Sequence, residues 1–306
     1  MITNYRRREI IMKTQYHGAY AALVTPYTED NKINYNELEK LVRYLISQGI
    51  DGFYVGGSTA EAFLMSDDER KRVLETVVKA NAGERKVICH VGAISTDRAI
   101  DFTQHAEKIG ADAVSAISPF YYKFSEREVV EYYNDIMSST SLPMFIYNFP
   151  NFSGFSLTED VLERMEENKN LAGVKFTSSD MFLLERIKTN HPNLVVWNGF
   201  DEMLASGLIM GADGGIGSTY NCMPRLIHKI YDSFCEGNIE KTHTYQALAN
   251  DVIKVICKHG VFASVKTILE MDGFSFNGCR KPFSPMTEEG KIELRNVYEK
   301  IILPNR

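Results

Sequence analysis

The fold is decided by one stretch of sequence, which runs through Ala172–Phe176 (AGVKF), Asp180–Asn190 (DMFLLERIKTN) and Leu194–Trp197 (LVVW). The first and last segments are short and mainly apolar, which is typical of strands buried on both faces. The middle segment has apolar residues at three- and four-residue steps, so it predicts an amphipathic helix. A strand, a helix and a second strand in this order predict a parallel unit with a right-handed crossover.

The same unit recurs along the chain. The predicted strands are Ala21–Val24, Gly52–Val55, Val87–Val91, Ala113–Ile117, Met144–Asn148, Ala172–Phe176, Leu194–Trp197 and Gly214–Gly217. Segments of helical period follow them, and Ser66 and Ser125 stand where two of these helices begin. Eight such units in about 200 residues favour an α/β fold of the (β/α)8 TIM-barrel type. A doubly wound sheet has the same pattern, but the glycine-rich nucleotide loops typical of it are absent from the sequence.

Further segments of helical period follow Pro224 and predict a C-terminal helical extension. The predicted organisation is therefore an N-terminal extension over residues 1–16, a barrel over 17–223, and C-terminal helices over 224–306 that pack on the barrel. No low-complexity linker separates the last two parts.

Composition narrows the class of protein. Among 306 residues, 34 basic and 40 acidic side chains give a net charge of −6, which disfavours nucleic acid and anionic membranes as partners. No apolar run reaches the 18 or more residues of a spanning helix. The five cysteines form no C-x-x-C pair and the histidines lack metal-ligand spacing, so we expect neither disulfides nor a metal. No signal peptide is recognisable. These features predict a cytoplasmic enzyme that acts on a small molecule.

Polar residues at the carboxyl ends of barrel strands are the candidates for catalysis. Lys175 interrupts an apolar strand, where burial would lower its pKa and leave a neutral amine able to attack a carbonyl. A strand-end lysine that extends to solvent or pairs with an acid is equally compatible with its position. Tyr147 lies near the end of the fifth strand and could carry protons beside such a lysine, although an ordinary rim aromatic fits the same place. Asp201 and Glu202, after the seventh strand, also suit the start of a helix.

The loop Gly56–Glu61 (GGSTAE) follows the second strand. Its glycines allow a ligand to approach the backbone, and the N–H groups that follow suit a carboxylate or phosphate. A plain turn is the other interpretation, with Ser58 or Thr59 as the helix cap and Glu61 complementing the helix dipole. The loop also approaches the pattern of a serine nucleophile elbow, but that site needs a histidine, and we expect no strand end to supply one.

Six segments together resemble a known family. They are Tyr54–Phe63 (YVGGSTAEAF), Val114–Ser125 (VSAISPFYYKFS), Tyr147–Gly154 (YNFPNFSG), Val174–Thr177 (VKFT), Asn198–Glu202 (NGFDE) and Gly211–Asn221 (GADGGIGSTYN). In this order they resemble the N-acetylneuraminate lyases of the dihydrodipicolinate synthase superfamily, which are class I, Schiff-base aldolases. The resemblance extends from about Gly18 to the carboxyl end and includes Cys279–Phe283 (CRKPF).

The resemblance implies a (β/α)8 barrel with a C-terminal helical extension, assembled as a homotetramer. It also implies reversible cleavage of N-acetylneuraminate to pyruvate and N-acetylmannosamine, a step of sialic acid catabolism within carbohydrate metabolism. The family needs no metal and no organic cofactor, because the intermediate is a covalent Schiff base between lysine and pyruvate.

The resemblance assigns roles to individual residues. Lys175 matches the lysine that forms the Schiff base, and Tyr147 matches the tyrosine that transfers protons. Ser58 and Thr59 match the pocket for the pyruvate carboxylate. Tyr121 matches a tyrosine that reaches into a neighbouring subunit's site and forms a relay with Ser58 and Tyr147. The positions that hold the hydroxylated tail of the sugar acid are matched by Thr177, Gly199, Asp201, Glu202 and Ser218.

Two differences between sequences bear on the substrate. Dihydrodipicolinate synthases usually carry an arginine shortly after the Y-N-x-P segment, and Pro150–Gly154 contains none, which argues against that activity. Lyase-type loops usually read GGSTGE, whereas this chain has Ala60 in place of the last glycine. If that position requires a positive φ, alanine costs about 1 kcal/mol there. The alternatives are therefore a pyruvate-dependent aldolase or dehydratase of another 2-keto sugar acid, and an inactive relative, which would be expected to lack Lys175 or Tyr147.

Overall fold

The structure, a computed structural model, describes residues 15–306. Eight strands close into a barrel in chain order. They are β1 (Gly18–Ala22), β2 (Gly52–Val55), β3 (Lys86–His90), β4 (Ala113–Ile117), β5 (Met144–Asn148), β6 (Leu171–Phe176), β7 (Val195–Asn198) and β8 (Gly214–Gly217). The predicted (β/α)8 barrel is confirmed, and the doubly wound sheet, which is open at its edges, is excluded. Most of the predicted extension, residues 1–16, lies outside the described residues.

Helices follow the strands and continue beyond β8. They are α1 (Tyr35–Ser47), α2 (Asp67–Asn81), α3 (Thr96–Ile109), α4 (Glu126–Ser138), α5 (Pro150–Ser153), α6 (Glu159–Glu166), α7 (Met181–Asn190), α8 (Leu204–Ile209), α9 (Pro224–Cys235), α10 (Ile239–His259), α11 (Val261–Met271) and α12 (Glu288–Val297). Ser66 and Ser125 each form a capping box with a glutamate three residues later, as their sequence positions predict.

The described residues divide into two compact units. The first contains Lys86–Gly215 together with residues 15–18, and the second contains Ala19–Arg85 and Ile216–Arg306. In the first unit, the rings of Phe145 and Trp197 lie 4.5 Å apart and Tyr16 packs edge-on against both. Tyr16 is buried and its hydroxyl donates to the carbonyl of Asp112 at 3.0 Å. Tyr16, the last residue assigned to the N-terminal extension, is therefore part of the packed core of this unit. The boundaries 17–223 and 224–306 stay predictions.

In the second unit, β1 begins three residues earlier than the sequence pattern predicts. Tyr20 pairs in register with Gly52 of β2, and a side chain at Gly52 would lie 2.1 Å from the Tyr20 ring. The N–H of Ala19 donates to the Asp51 carboxylate at 2.7 Å. Tertiary contacts with β2 thus extend the strand toward its amino end, where hydrophobic periodicity alone gives no signal.

Candidate active site

Lys175 lies near the carboxyl end of β6, with Tyr147 of β5 and Trp197 of β7 as its register neighbours. It is only 5% exposed, so the interpretation that it extends to solvent is wrong. Burial lowers the pKa of Lys175 to about 7, against a smaller opposing effect of the Asp201 carboxylate. About half of this lysine is therefore neutral near pH 7, and the neutral amine is the form that attacks a carbonyl.

Tyr147 provides a phenol directly beside this amine. The Nζ atom of Lys175 lies 4.0 Å from the centroid of the Tyr147 ring. Residues paired in register on neighbouring strands project from the same face of the sheet, so the two side chains point the same way. The buried ring stacks on Phe149 at 5.8 Å, which fixes its orientation. The geometry thus places the Lys175 amine in contact with the Tyr147 ring.

His90 is a strand-end residue that the sequence pattern does not mark. It ends β3, is buried, and lies edge-on to Tyr147 with 5.9 Å between ring centroids. The expectation that no strand end supplies a histidine is therefore wrong. Its Nε2 accepts a hydrogen bond from the N–H of Ile117 at 3.2 Å, so this atom is not available as the base of a serine nucleophile. The one trace of this arrangement in the sequence is the glycine at position 92, because a Cβ atom there would lie 2.8 Å from Nε2 of His90.

Thr177 and Gly199 form a polar edge beyond β6 and β7. The Thr177 hydroxyl is buried and has no hydrogen-bond partner among residues 15–306. A Cβ atom at Gly199 would lie 1.8 Å from this hydroxyl, so glycine alone leaves it in place. The N–H of Gly199 donates to the carbonyl of Phe176 at 2.8 Å, which holds the two segments together. A buried hydroxyl without a protein partner is suited to a ligand or an ordered water.

Asp201 and Glu202 differ in environment, although the sequence presents them as a pair. Asp201 begins a 3-10 turn, Asp201–Met203, and is 7% exposed, whereas the Glu202 side chain is exposed. The negative charge of Asp201 acts on Lys175 and raises its pKa, so these two groups are electrostatically coupled. Asp201 is therefore the acid that belongs to the buried cluster.

The loop after β2 belongs to the second unit. Gly56 has φ +76°, and a side chain at Gly57 would lie 2.7 Å from the Tyr54 ring. Ser58–Ala60 then form a 3-10 turn that no side chain caps, so the interpretation of Ser58 or Thr59 as a helix cap is wrong. Within the described residues the first two N–H groups of this turn have no acceptor. They are thus available to an anion.

Two hydroxyls meet in the second unit. The Oγ1 atom of Thr59 lies 2.6 Å from the Oγ atom of Ser218, which follows β8. The Ser218 position immediately precedes the 3-10 turn Thr219–Asn221. This contact brings together one residue predicted for the carboxylate pocket and one predicted for the sugar tail.

Ala60 does not strain the loop. The residue at positive φ is Glu61, with φ 60° and ψ 33°, while Ala60 lies within the 3-10 turn. Ala60 is buried, and its carbonyl accepts a hydrogen bond from the Thr25 hydroxyl at 2.9 Å. The condition under which alanine would be costly at this position is therefore absent.

Tyr121 lies in the loop between β4 and α4. Its backbone has φ +78°, and its side chain is 85% exposed beside the exposed Tyr122, at 5.0 Å between ring centroids. Positive φ is uncommon for a bulky residue and indicates a position under constraint. The crossing of Tyr121 into a neighbouring subunit stays a prediction.

Residues 15–306 contain neither a cluster of metal ligands nor a helix suited to span a membrane. This part of the chain holds no group of three or more histidine, cysteine or acidic side chains arranged to bind a metal ion. None of its helices combines the length and apolar character needed to cross a membrane.

Known proteins share this fold and sequence. The N-acetylneuraminate lyase of Shigella boydii serotype 4 is 43% identical over 293 residues, which cover 95% of this chain and 99% of that protein. The structure of CdNal from Clostridium difficile in complex with mannosamine has a TM-score of 0.91 at 35% identity and covers 93% of this chain and 99% of that one. The Ruminococcus gnavus sialic acid aldolase catalytic lysine mutant has a TM-score of 0.90 at 29% identity, with coverages of 94% and 98%. The sequence profile of the dihydrodipicolinate synthetase family matches residues 15–301. The chain belongs to the dihydrodipicolinate synthetase family.

Proposed function

We propose that this chain is a class I aldolase that reversibly cleaves N-acetylneuraminate to pyruvate and N-acetylmannosamine. The observation that carries the proposal is the buried Lys175 in contact with Tyr147, with its pKa lowered to about 7. Lyases of this name are 43% identical to the chain, and a related sialic acid aldolase was solved as a mutant of its catalytic lysine. Both Lys175 and Tyr147 are retained here, which disfavours an inactive relative.

The site is proposed to lie at the carboxyl ends of the barrel strands. In (β/α)8 barrels the loops that follow the strands form one face, and that face carries the active site. Lys175, Tyr147 and Asp201 lie at or beyond the ends of β5, β6 and β7, while Ser58 and Ser218 follow β2 and β8. We infer from the resemblance to the lyases, which assigns roles to both sets of residues, that both sets bind one substrate.

Bond cleavage is proposed to begin at Lys175. Its neutral amine attacks the C2 carbonyl of the open-chain keto acid, and loss of water gives an iminium ion. Tyr147 gives its phenolic proton to the hydroxyl that leaves C2 as water, and the resulting phenolate then accepts the proton of the C4 hydroxyl. The C4 oxygen forms the aldehyde of N-acetylmannosamine as the C3–C4 bond breaks. The electron pair of that bond passes to the iminium and forms an enamine. Protonation of the enamine at C3 and addition of water at C2 release pyruvate and return the free lysine.

The substrate carboxylate is proposed to bind the loop after β2. The N–H groups of Ser58 and Thr59 point to a carboxylate subsite, because they lack acceptors within the described chain. Fixed donors of this kind need no reorganisation during the reaction. Local donors are required, since the net charge of −6 gives no general attraction for an anionic substrate.

The hydroxylated tail is proposed to contact Thr177, Gly199, Asp201, Glu202 and Ser218. The buried Thr177 hydroxyl and the Asp201 carboxylate suit sugar hydroxyls, because one can donate and the other accepts hydrogen bonds. A second acidic group on the substrate would be repelled by Asp201. This arrangement favours a neutral polyol tail.

The assembly and the setting of the reaction are also proposals. We infer a cytoplasmic homotetramer that acts in sialic acid catabolism, in which the exposed Tyr121 crosses into a neighbouring site and joins a relay with Ser58 and Tyr147. The exposure and positive φ of Tyr121 support a contact outside its own chain. Neither a metal nor an organic cofactor is required, because the iminium on Lys175 accepts the electron pair.

Release of pyruvate from a panel of substrates tests the proposed function. We expect turnover of N-acetylneuraminate to exceed that of other 2-keto sugar acids, and Lys175→Ala to abolish it. Lys169→Ala is the matched control, since this exposed lysine precedes the same strand. Substantial turnover by a folded Lys175→Ala variant, or preference for another keto sugar acid, would contradict the proposal.

A further inference from the structure

A fully buried ion pair lies behind the loop after β2. The Nζ atom of Lys266, on α11, lies 2.5 Å from Oε1 of Glu61, and both side chains are 0% exposed. Burying two charges is costly unless the geometry is close and their remaining hydrogen-bonding sites are satisfied. Here Glu61 also accepts from the N–H of Arg280 at 2.7 Å, and Lys266 also donates to the carbonyl of Gly278 at 2.8 Å. Each member of the pair therefore has a second hydrogen-bond partner beside the other.

The backbone at Glu61 needs such support. Glu61 has left-handed φ and ψ values and joins the 3-10 turn Ser58–Ala60 to the 3-10 turn Ala62–Leu64. A side chain with a Cβ atom is disfavoured in this conformation and adopts it when the surrounding structure holds it there. The ion pair anchors the residue at which the loop changes direction.

A second anchor fixes the far side of the same loop. The guanidinium of Arg280 donates to both carboxylate oxygens of Glu69, at 2.7 and 2.5 Å, and to the carbonyl of Leu64 at 3.0 Å. The Arg280 contact lowers the pKa of Glu69. The segment Gly278–Arg280 therefore contacts the loop through Glu61 and again through Leu64, and it forms a rigid backing for the residues between them.

The ring of Tyr27 completes this backing. It lies 4.4 Å from Nζ of Lys266 and 4.7 Å from Cζ of Arg280, measured to the ring centroid. Two cations against one buried aromatic ring hold both anchors in a fixed arrangement. None of these groups belongs to the residues proposed to contact substrate.

We propose that the Glu61–Lys266 pair is a positioning device for the substrate carboxylate. By holding Glu61 in its left-handed conformation, the pair keeps the N–H groups of Ser58 and Thr59 aimed at the carboxylate subsite. The inference rests on the proposed function, because it assumes a Schiff base at Lys175 and a carboxylate at this loop. It also assigns a role to the CRKPF segment, because the N–H of Arg280 in this segment donates a hydrogen bond to Glu61.

The test compares two ketones in borohydride trapping at Lys175, with pyruvate as the probe that has a carboxylate and acetone as the probe that lacks one. We expect Glu61→Gln to raise the pyruvate concentration that gives half-maximal trapping by about 10–100-fold, the effect of misplacing binding groups by about 1 Å. Trapping by acetone should stay the same. In turnover, KM for N-acetylneuraminate should rise more than kcat falls, since the carboxylate is held throughout the reaction.

Glu37→Gln is the matched control. Glu37 is a buried carboxylate of the same unit. It accepts a hydrogen bond from the N–H of Ser275 at 3.0 Å, in the segment just before Gly278. We expect the concentrations of pyruvate and of acetone that give half-maximal trapping in this variant to equal those of the wild type. A double variant, Glu61→Gln with Lys266→Met, keeps the test valid if the single variant does not fold, because replacing both members of a buried ion pair is often neutral for stability.

The trapping experiment distinguishes failure of this inference from failure of the proposed function. An unchanged pyruvate dependence in a folded Glu61 variant would overturn the inference, and so would an equal loss for pyruvate and acetone, which would indicate general damage to the site. Failure of the wild-type enzyme to trap pyruvate at Lys175 would instead refute the proposed function.

Discussion

Replacing Lys175 by methionine should make the protein inactive but more stable. Methionine has a similar length without the charge, so it removes the burial of an ammonium group. The pKa of Lys175 falls from 10.5 to about 7 in the folded chain, a difference of about 3.5 pH units. At about 1.36 kcal/mol per pH unit, this corresponds to ~5 kcal/mol of unfolding free energy.

The sign of the effect follows from the two protonation equilibria. Below about pH 7 the lysine is charged in both folded and unfolded chains, so the wild type bears the full cost of burial. Between pH 7 and 10.5 the unfolded chain binds more protons, and wild-type stability rises with pH relative to the variant. The stability gain of Lys175→Met should therefore be largest near pH 6 and smaller by about 2.7 kcal/mol at pH 9.

Urea denaturation of both proteins between pH 6 and pH 9 measures this difference. Lys169→Met, a substitution of an exposed lysine, serves as the control and should show no such pH-dependent gain. A Lys175→Met variant that is no more stable at pH 6, or whose gain does not decrease toward pH 9, would refute the assignment of a buried lysine with a lowered pKa.

Three further predictions concern activity. Tyr147→Phe should lower kcat by about 10²–10⁴-fold, the usual contribution of general acid–base catalysis, while trapping of pyruvate persists; a loss below tenfold would exclude this role. Asp201→Asn removes the carboxylate that raises the pKa of Lys175, so the pH at which pyruvate trapping is half-maximal should decrease; an increase would contradict the coupling. Tyr121→Phe should impair turnover if subunits share sites, and full activity in a sedimenting tetramer would exclude the relay.

Local sequence patterns were sufficient to predict the barrel. Four strands, β2, β4, β5 and β8, have the bounds that apolar runs predict, because each is closed off by turn residues or a polar segment. The bounds of β1 differ because the pairing of Tyr20 with Gly52 extends the strand where no local pattern marks it. Periodicity therefore predicts strands, while tertiary contacts set their ends.

Strand-end position was also sufficient to select Lys175, but it left the state of that lysine open. Burial determines the protonation state, because an amine that is only 5% exposed loses the hydration of its charged form, and this lowers its pKa. His90 was missed because Val91 extends the apolar run and hides the end of β3. Asp201 and Glu202 are neighbours in sequence, and only the turn that begins at Asp201 separates their environments.

The Glu61–Lys266 pair could not be predicted from sequence. The two residues are 205 positions apart, and no spacing rule links them. The sequence interpretation of Glu61 as an acid that complements a helix dipole is wrong, since its carboxylate is buried against a lysine and a backbone N–H. Hydrophobic periodicity predicts where helices lie along the chain, but it does not predict how they pack against each other. Long-range charge pairs of this kind depend on that packing.

The Schiff base at Lys175 is tested most directly by incubating the wild-type protein with pyruvate and borohydride, digesting it, and measuring peptide masses. The expectation is that the peptide containing Lys175 gains the mass of one reduced pyruvate adduct, while peptides containing other lysines do not. A folded protein in which the Lys175 peptide is unmodified, or in which another lysine carries the adduct, would contradict it.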